Sequence, residues 1–295
     1  MSLNLFKTVK DAIAHLNPHD IRAEADRPLR VGLFANSEAA YRQMEAYFCP
    51  AMLSPSRRQQ VCQVIERAAF TPGTLRTAHD IEIYSPELAS QGGFSFNLQN
   101  PEITVQAILK AYPDRAISLA RHLEPFRKPV VCDTIKKISR ENALFSLATA
   151  IPDVVPFISL PWAIGEFASD TAVLTANQIR MAFLLAAAND REVGYREQRG
   201  EIATILLGAF GWRAIAREVV GKIPFGGGLI AKAGVAYAGT RVVGLSLERY
   251  YRIGYHLTKA ERTAEFQRAL EKGKTIAGSV LNVLKRHQPA PSQIR

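Results

Sequence analysis

Residues 223–244 read IPFGGGLIAKAGVAYAGTRVVG, a run in which small side chains recur among branched apolar ones. Ala236, Thr240 and Gly244 repeat at intervals of four, so they share one face of a helix and form a ridge that lets another helix backbone pack closely. The three glycines before this ridge predict a hinge at which the helix begins. The predicted helix-packing residues are Gly226, Gly227, Gly228, Ala236, Thr240 and Gly244.

This run belongs to a longer apolar block of balanced charge. Residues 141–247 contain nine Lys or Arg and nine Asp or Glu, so the block is neutral. Apolar helices that are rich in small residues pack either inside a large helical bundle or within a lipid bilayer. The whole chain has 295 residues and is 47% hydrophobic, which is enough for two domains and a sizeable core.

A long apolar helix is predicted over residues 162–188. At about 1.5 Å per residue it would span about 40 Å, which is enough to cross a bilayer. Charges interrupt it, and Glu166, Asp170, Asn177 and Arg180 fall on one polar stripe. Arg180 lies about 15 Å from Asp170 along the helix axis, so its partner must come from another segment, a phosphate or water.

The polar stripe has two interpretations. It is either the solvent face of a soluble bundle helix or a lining turned inward so that its charges are paired. A further helix is predicted at 197–220, with Arg213 and Arg217 one turn apart. The candidate ligand-contact or partner-contact residues are Glu166, Asp170, Asn177, Arg180, Arg213 and Arg217, and no residue is assigned a catalytic role.

The N-terminal third of the chain predicts a small α/β unit. The run RPLRVGLFAN at 27–36 is typical of a strand, and residues 37–48 continue as a helix. A second helix is predicted at 57–68 and a second strand at 81–84. We therefore predict an α+β fold with an amphipathic helix at 1–26, a small α/β domain at 27–100, an apolar helical module at 101–257, and an amphipathic helix with a basic tail at 258–295.

Charge and residue usage limit the classes of function. The net charge is +10, and residues 248–295 hold ten basic and four acidic residues. A basic tail beside an apolar module can face the phosphate of anionic lipid or of nucleic acid. Aromatic residues make up only 8% of the chain and no nucleic-acid recognition motif is present, which argues against nucleic acid. The three cysteines and six histidines show no ligand spacing, so we expect neither a metal nor another cofactor.

Three stretches of the block resemble a known family. ENALFSLATAIPDVVP at 141–156, LTANQIRM at 174–181 and the run at 223–244 resemble the domain of unknown function 697 family. That family is a helical module found after Era-like GTPase domains in bacteria and in some inner-membrane proteins. The resemblance covers somewhat under half of the chain. It implies a helical, membrane-associated module and carries no catalytic residue to this chain.

The resemblance also implies a GTPase-like domain before the module, which the motifs of this chain do not support. If Gly32 were the first glycine of a phosphate loop, the required Gly, Lys and Ser or Thr would fall at Ser37, Glu38 and Ala39. Glu38 would place a negative charge where the lysine meets phosphate. Asp-x-x-Gly after the strand at 81–84 and Asn-Lys-x-Asp are also absent. We expect no GTP hydrolysis, and the α/β domain is either a degenerate GTPase relative or an unrelated unit.

Taken with the basic tail, the apolar block predicts a non-enzymatic, membrane-associated adaptor or scaffold. Its expected partners are membrane lipid, partner helices or both, on the cytoplasmic side of a bacterial cytoplasmic membrane, and association with a second copy of the chain stays open. The alternative is a soluble cytoplasmic protein, ligand-binding or enzymatic, whose polar pocket is lined by Glu166, Asp170, Asn177, Arg180 and Arg217.

Overall fold

The computed structural model describes residues 11–68, 79–91, 93–149, 170–208 and 228–287. This part of the chain is mostly helical with one small parallel sheet, which confirms the predicted α+β class. The chain divides into two compact units. The first unit comprises residues 1–18, 133–185 and 194–295, and the second comprises residues 19–132 and 186–193.

The second unit is built on a parallel sheet. Its strands are β1 (Val31–Phe34), β2 (Ile65–Ala68), β3 (Ile81–Tyr84) and β4 (Phe94–Ser95), and their order across the sheet is β2-β1-β3-β4. All four residues of β1 are buried. A central strand of a parallel sheet is covered on both faces, which is why β1 is apolar throughout rather than alternating.

Helices surround the strands of this unit. The predicted strand at 27–36 and the helix after it are confirmed as β1 and α2, and the Ser37 side chain caps α2 by accepting a hydrogen bond from the backbone N–H of Ala40. The predicted strand at 81–84 is confirmed as β3. The helices are α1 (Pro18–Ala25), α2 (Glu38–Phe48), α3 (Pro55–Val64), α4 (Pro101–Ala111) and α5 (Ala116–His122).

The helix predicted over 57–68 is wrong at its C-terminal end. The helix α3 ends at Val64, and Ile65–Ala68 forms β2, paired in parallel with β1. Buried Val61, Val64 and Ala68 have a spacing that a single helix would share. The strand forms because its backbone hydrogen-bonds a partner more than thirty residues away, and no local pattern reports that pairing.

The sequence after residue 100 continues the sheet unit. Thr104 of α4 donates its hydroxyl to the carbonyl of Ser95 at 2.9 Å and accepts the backbone N–H of Asn97 at 2.9 Å. These two bonds attach α4 to the end of β4, so the boundary predicted near residue 100 falls inside the second unit.

The first unit is helical in the described residues. The unit contains the part of α6 (Glu124–Ala148) from Asp133 onward and the part of α7 (Asp170–Ala188) up to Leu185. It continues with α8, described at 199–208, then α9 (Gly228–Ile253) and α10 (Lys259–His287). The predicted helices at 162–188 and 197–220 are confirmed over the parts that the structure describes.

Helices α9 and α10 form an antiparallel pair at the core of this unit. A Cβ added to Gly273 of α10 would lie 2.9 Å from Cα of Gly234 on α9, so the two backbones touch where neither residue has a side chain. The buried residues of this core are Ala143, Leu147, Ala233, Val235, Tyr237, Ala238, Val242, Phe266, Ala269, Leu270 and Ala277.

The predicted small-residue ridge lies within the protein. A Cβ on Gly244 would lie 2.8 Å from Ile135 of α6 and 3.0 Å from Sδ of Met181 on α7, so Gly244 lets α9 approach both helices. Thr240 is buried and Ala236 is half-buried. Gly228 begins α9, whereas Gly226 and Gly227 lie outside the described residues.

Helix α7 is buried on almost all sides. Within the described ranges one window, Thr171–Ala188, is long and apolar enough to cross a membrane, and 78% of that window is buried inside the protein. Length and composition of this kind are shared by core helices of soluble proteins. Near the N-terminus, Ala12, Ile13 and Leu16 pack against the Ala172 and Ala176 side of α7.

Candidate functional site

A chain of buried amides joins three helices of the first unit. Asn142 of α6 donates to Oγ1 of Thr240 on α9 at 2.8 Å and accepts from Nδ2 of Asn177 on α7 at 2.7 Å. Gln178 also donates to Thr240 at 3.3 Å. All four side chains are buried, so water does not compete for these bonds. This arrangement fixes the register of the helices.

The predicted contact residues do not form one pocket in the described part of the chain. Asn177 belongs to the amide chain, whereas Arg180 lies 3.7 Å from the carboxylate of Glu141 on α6. The partner of Arg180 therefore comes from another segment, which is one of the three alternatives that the sequence leaves open. Asp170 begins α7, and Glu166, Arg213 and Arg217 lie outside the described residues.

A surface of mixed apolar and basic character lies where α9 joins α10. We call Arg252, Ile253, Tyr255, Lys259 and Arg262 the α9–α10 surface. Its two apolar side chains are 46% and 74% exposed, respectively, and its three basic residues are also exposed. Apolar side chains and cations are therefore exposed together at one loop.

The backbone of this connection is well determined by the sequence. Gly254 has φ of +81°, the left-handed conformation that ends a helix, and its N–H donates to the carbonyl of Tyr250 at 2.8 Å. Thr258 and Glu261 form a capping box at the start of α10. The Glu261 carboxylate accepts the N–H of Thr258 at 2.8 Å, and the Thr258 hydroxyl accepts the N–H of Glu261 at 3.3 Å.

A cavity of about 260 Å³ lies beside this connection, between α8 and α9. We call it the α8–α9 cavity. Asn177 and Arg180 do not line it. Its walls are mainly apolar. The residues that line it include Glu201, Thr204 and Ile205 from α8, Val242 and Leu247 from α9, and Arg262 from α10.

Ser246 and His256 meet at the edge of this cavity. The Ser246 Oγ lies 3.2 Å from Nδ1 of His256 and also accepts the N–H of Leu257 at 3.3 Å. The imidazole ring stacks on Tyr250 with centroids 4.5 Å apart. Within the described ranges no carboxylate orients this histidine, so the pair lacks the third group of a nucleophile–base–acid triad. Its evident role is to hold the connection in place.

The start of α2, where a phosphate loop would bind its ligand, is occupied by ion pairs. The Glu38 carboxylate bonds Arg42 at 2.9 Å and Arg67 at 2.9 Å. The hydrogen bond from Arg42 is the main reason that the pKa of Glu38 is lowered. The negative charge of the Glu38 carboxylate complements the positive end of the helix dipole at the N-terminus of α2.

A group of arginines in the second unit caps the C-terminus of α5. Arg57 donates to the carbonyls of Arg121 and His122, and Arg127 donates to the carbonyl of Ala120 at 3.1 Å. Arg57 also pairs with Asp190 at 2.7 Å. The last carbonyls of a helix have no partner within the helix, so guanidinium groups satisfy them and complement its dipole. These donors are engaged by the protein itself.

Histidine, cysteine and acidic side chains do not assemble into a metal centre: across the described ranges no group of three or more could hold a metal ion. Comparison with known proteins found no matching family model, no matching curated protein and no matching solved structure.

Asn142 and Glu201 are among the residues of these sites that sequence reasoning missed. Asn142 is a lone amide in the apolar run after Glu141, and Glu201 lies four residues before the buried Ile205 on the same helical face. A polar side chain on a predicted apolar face is the signal that could have identified both.

Proposed function

We propose that this protein is a non-enzymatic, membrane-associated adaptor that docks peripherally on anionic lipid through the α9–α10 surface. The observation that carries the proposal is the exposure of Ile253 and Tyr255 beside Arg252 at a loop between two long helices. An aliphatic and an aromatic side chain at the tip of a helical pair are suited to enter the interface between lipid headgroups and acyl chains.

Charge complementarity selects anionic lipid as the surface. Arg252, Lys259 and Arg262 are exposed around the apolar pair. The nearby acid Glu261 is engaged by Arg249 and by Thr258, so its charge is largely offset. Each basic residue near an anionic leaflet contributes roughly 1 kcal/mol. Arg252 pairs with Glu248 at 2.7 Å, so Lys259 and Arg262 supply the net positive charge that acts together with the two apolar side chains.

Peripheral docking fits this chain better than a spanning helix. The apolar helix α7 keeps Asn177 and Gln178 buried in hydrogen bonds to α6 and α9. Moving α7 into lipid would leave these amides without their partners, at a cost of several kcal/mol for each unsatisfied group. We therefore propose that α7 stays in the helical core and that the loop, not α7, meets the bilayer.

The remaining expectations extend this proposal. The resemblance of 141–156, 174–181 and 223–244 to the domain of unknown function 697 family supports a membrane-associated module. On that basis we propose the cytoplasmic face of a bacterial cytoplasmic membrane as the location, and a partner protein bound by the remaining surface as the adaptor function.

We also propose that the sheet unit is a degenerate GTPase-like domain that no longer binds nucleotide. Its support is the parallel strand β1 leading through Ser37 into α2, together with the Glu38 charge at the helix start. Calorimetric titration of the whole protein with GTP and ATP should give no heat of binding. Saturable heat with either nucleotide would contradict the loss of binding.

Vesicle co-sedimentation tests the docking surface. The full chain should sediment with phosphatidylglycerol-containing vesicles but not with pure phosphatidylcholine vesicles, and about 1 M salt, where the screening length is about 3 Å, should release it. The double variant Ile253→Ser with Tyr255→Ser should bind at least about tenfold more weakly, because each buried apolar side chain contributes about 1.5–3 kcal/mol.

A variant in the second unit provides a matched control for the loss of exposed apolar surface. Met52→Ser removes a large apolar side chain that is 90% exposed, and it should leave vesicle binding unchanged. Equal sedimentation with both kinds of vesicle, no sedimentation with either, or full binding by the double variant would rule out docking through this surface. In cell fractionation, carbonate and high-salt washes should release the protein from membranes, and resistance to both would indicate a spanning segment.

A further inference from the structure

The α8–α9 cavity holds a charged group that the protein itself does not neutralise. Glu201 lines the cavity and is only 8% exposed. Among the described residues, no donor or cation lies within hydrogen-bonding or salt-bridge distance of the Glu201 carboxylate. Such a group is an open acceptor.

The other polar groups of the cavity do not serve as that partner. The Thr204 hydroxyl donates to the carbonyl of Gly200 at 2.9 Å, and Ser246 is engaged with His256 and the N–H of Leu257. Arg262 lines the cavity from α10, but its guanidinium is not within ion-pair distance of Glu201. The remaining wall is apolar, formed by residues such as Ile205, Val242 and Leu247.

We propose that the α8–α9 cavity binds a small amine with an apolar body, with the ammonium group donating to the Glu201 carboxylate. The hydrocarbon part lies against Ile205, Val242 and Leu247. At about 260 Å³ the cavity has room for a small ligand, such as one aromatic ring that carries a short amine chain. This site differs from the lipid-docking surface in its chemistry, because it selects a small cation, although Arg262 belongs to both.

Two other ligand classes fit the cavity less well. A divalent cation takes six or more oxygen ligands or keeps much of its water, whereas a single carboxylate lines this cavity. An anion would be repelled by Glu201, and the one guanidinium of the lining, that of Arg262, belongs to an exposed side chain whose charge water screens. An ammonium on an apolar body matches both the charge and the walls.

Calorimetric titration of the full chain with 2-phenylethylamine, and with 2-phenylethanol as its neutral analogue, tests the site. The amine should bind at least about tenfold more tightly than the alcohol. A hydrogen bond between charged groups is roughly twice as strong as a neutral one, and a tenfold difference in affinity needs only about 1.4 kcal/mol of binding free energy. Glu201→Gln should weaken amine binding about tenfold and leave alcohol binding within about twofold.

Glu197→Gln is the matched control, because Glu197 lies one helical turn before Glu201 and is exposed. This control should bind the amine as the unchanged protein does. The amine–alcohol comparison on the unchanged protein stands even if Glu201→Gln fails to fold. Absence of saturable amine binding, equal affinity for amine and alcohol, or undiminished amine binding by a folded Glu201→Gln protein would overturn the proposal.

Discussion

Asn177 donates a hydrogen bond of 2.7 Å to Oδ1 of Asn142, and neither side chain has any exposed surface. The bond joins α7 to α6, and Asn142 passes the connection on to Thr240 of α9. Apolar contacts alone would tolerate a shift of one helix along another. A buried hydrogen-bond chain does not, because any shift leaves polar atoms without partners.

Replacing Asn142 by alanine should destabilise the first unit by about 2–4 kcal/mol. The substitution removes the acceptor of Asn177 and the main donor to Thr240, and each buried polar group left unpaired costs about 1–3 kcal/mol. Urea unfolding followed by circular dichroism measures the change. Asn282→Ala, on an exposed position of α10, is the control and should change stability by less than about 0.5 kcal/mol. A loss below 1 kcal/mol for Asn142→Ala would contradict a structural role for the amide chain.

Gly273→Ala should destabilise the protein, whereas Gly278→Ala on the same helix should stabilise it. A Cβ at Gly273 would lie 2.8 Å from Cβ of Tyr237 and 2.9 Å from Cα of Gly234, so the α9–α10 pair must separate at a cost of about 1–3 kcal/mol. At Gly278 a Cβ meets nothing within 4 Å, and alanine is favoured in a helix by about 0.5–1 kcal/mol. Thermal unfolding of both variants measures the difference, and shifts of the same sign would contradict the close approach.

Local chemistry explains which parts of this fold the sequence predicts. Ser37 before α2 and the Thr258–Glu261 pair before α10 are capping residues whose partners lie three residues away, so each helix start can be identified from its own segment. The ridge at Thr240 and Gly244 is likewise visible as a spacing. Its use for packing inside the protein depends on α6 and α7, which the spacing does not identify.

Long-range partners explain what the sequence does not predict. The strand β2 follows α3 without a break, and only its pairing with β1 distinguishes it from more helix. The sequence excludes Asp170 as the partner of Arg180 because it is too far along the helix, but it does not choose between another segment, a phosphate and water, and it does not identify Glu141. The burial of Glu201 depends on where α9 and α10 pass over α8, which is a tertiary property.

The capping box of α10 should make stability depend on pH in the acid range. The hydrogen bond from Arg249, followed by the N–H of Thr258, lowers the pKa of Glu261 from 4.5 to about 2. The unfolded chain therefore binds a proton more readily, and the contribution of Glu261 is complete above about pH 4.5 and is lost as the pH falls towards 2. The midpoint temperatures of thermal unfolding of the unchanged protein and of Glu261→Gln should differ at pH 7 and converge as the pH is lowered to 2.

Two substitutions separate this effect from loss of the cap. Thr258→Ala removes the neutral half of the box and should cost about 1 kcal/mol. Glu271→Gln removes an exposed acid elsewhere on α10 and should leave a pH profile parallel to that of the unchanged protein. A gap between Glu261→Gln and the unchanged protein that stays constant from pH 7 to pH 2 would show that the carboxylate is not protected as the structure indicates.

His122 should make the stability of the second unit fall as the pH drops below neutrality. Burial, and then the charges of Arg57 and Arg121, lower the pKa of His122 from its usual 6.5, whereas Asp190 and Asp26 act in the opposite direction with less effect. The folded protein therefore keeps a neutral imidazole while the unfolded chain takes up a proton near pH 6.5. The unfolded state binds more protons in that range, so stability is complete above about pH 6.5 and declines below it.

Urea unfolding at pH 7.5 and at pH 5.5 tests this dependence. The unchanged protein should lose stability between these two values, and His122→Gln, which cannot take up a proton, should lose less. His19→Gln is the control, because His19 is exposed and belongs to the same unit, and it should retain the full loss. Equal losses for His122→Gln and the unchanged protein would mean that burial and the neighbouring arginines do not exclude a charge from His122, since protonation there would then be no harder in the folded state than in the unfolded chain.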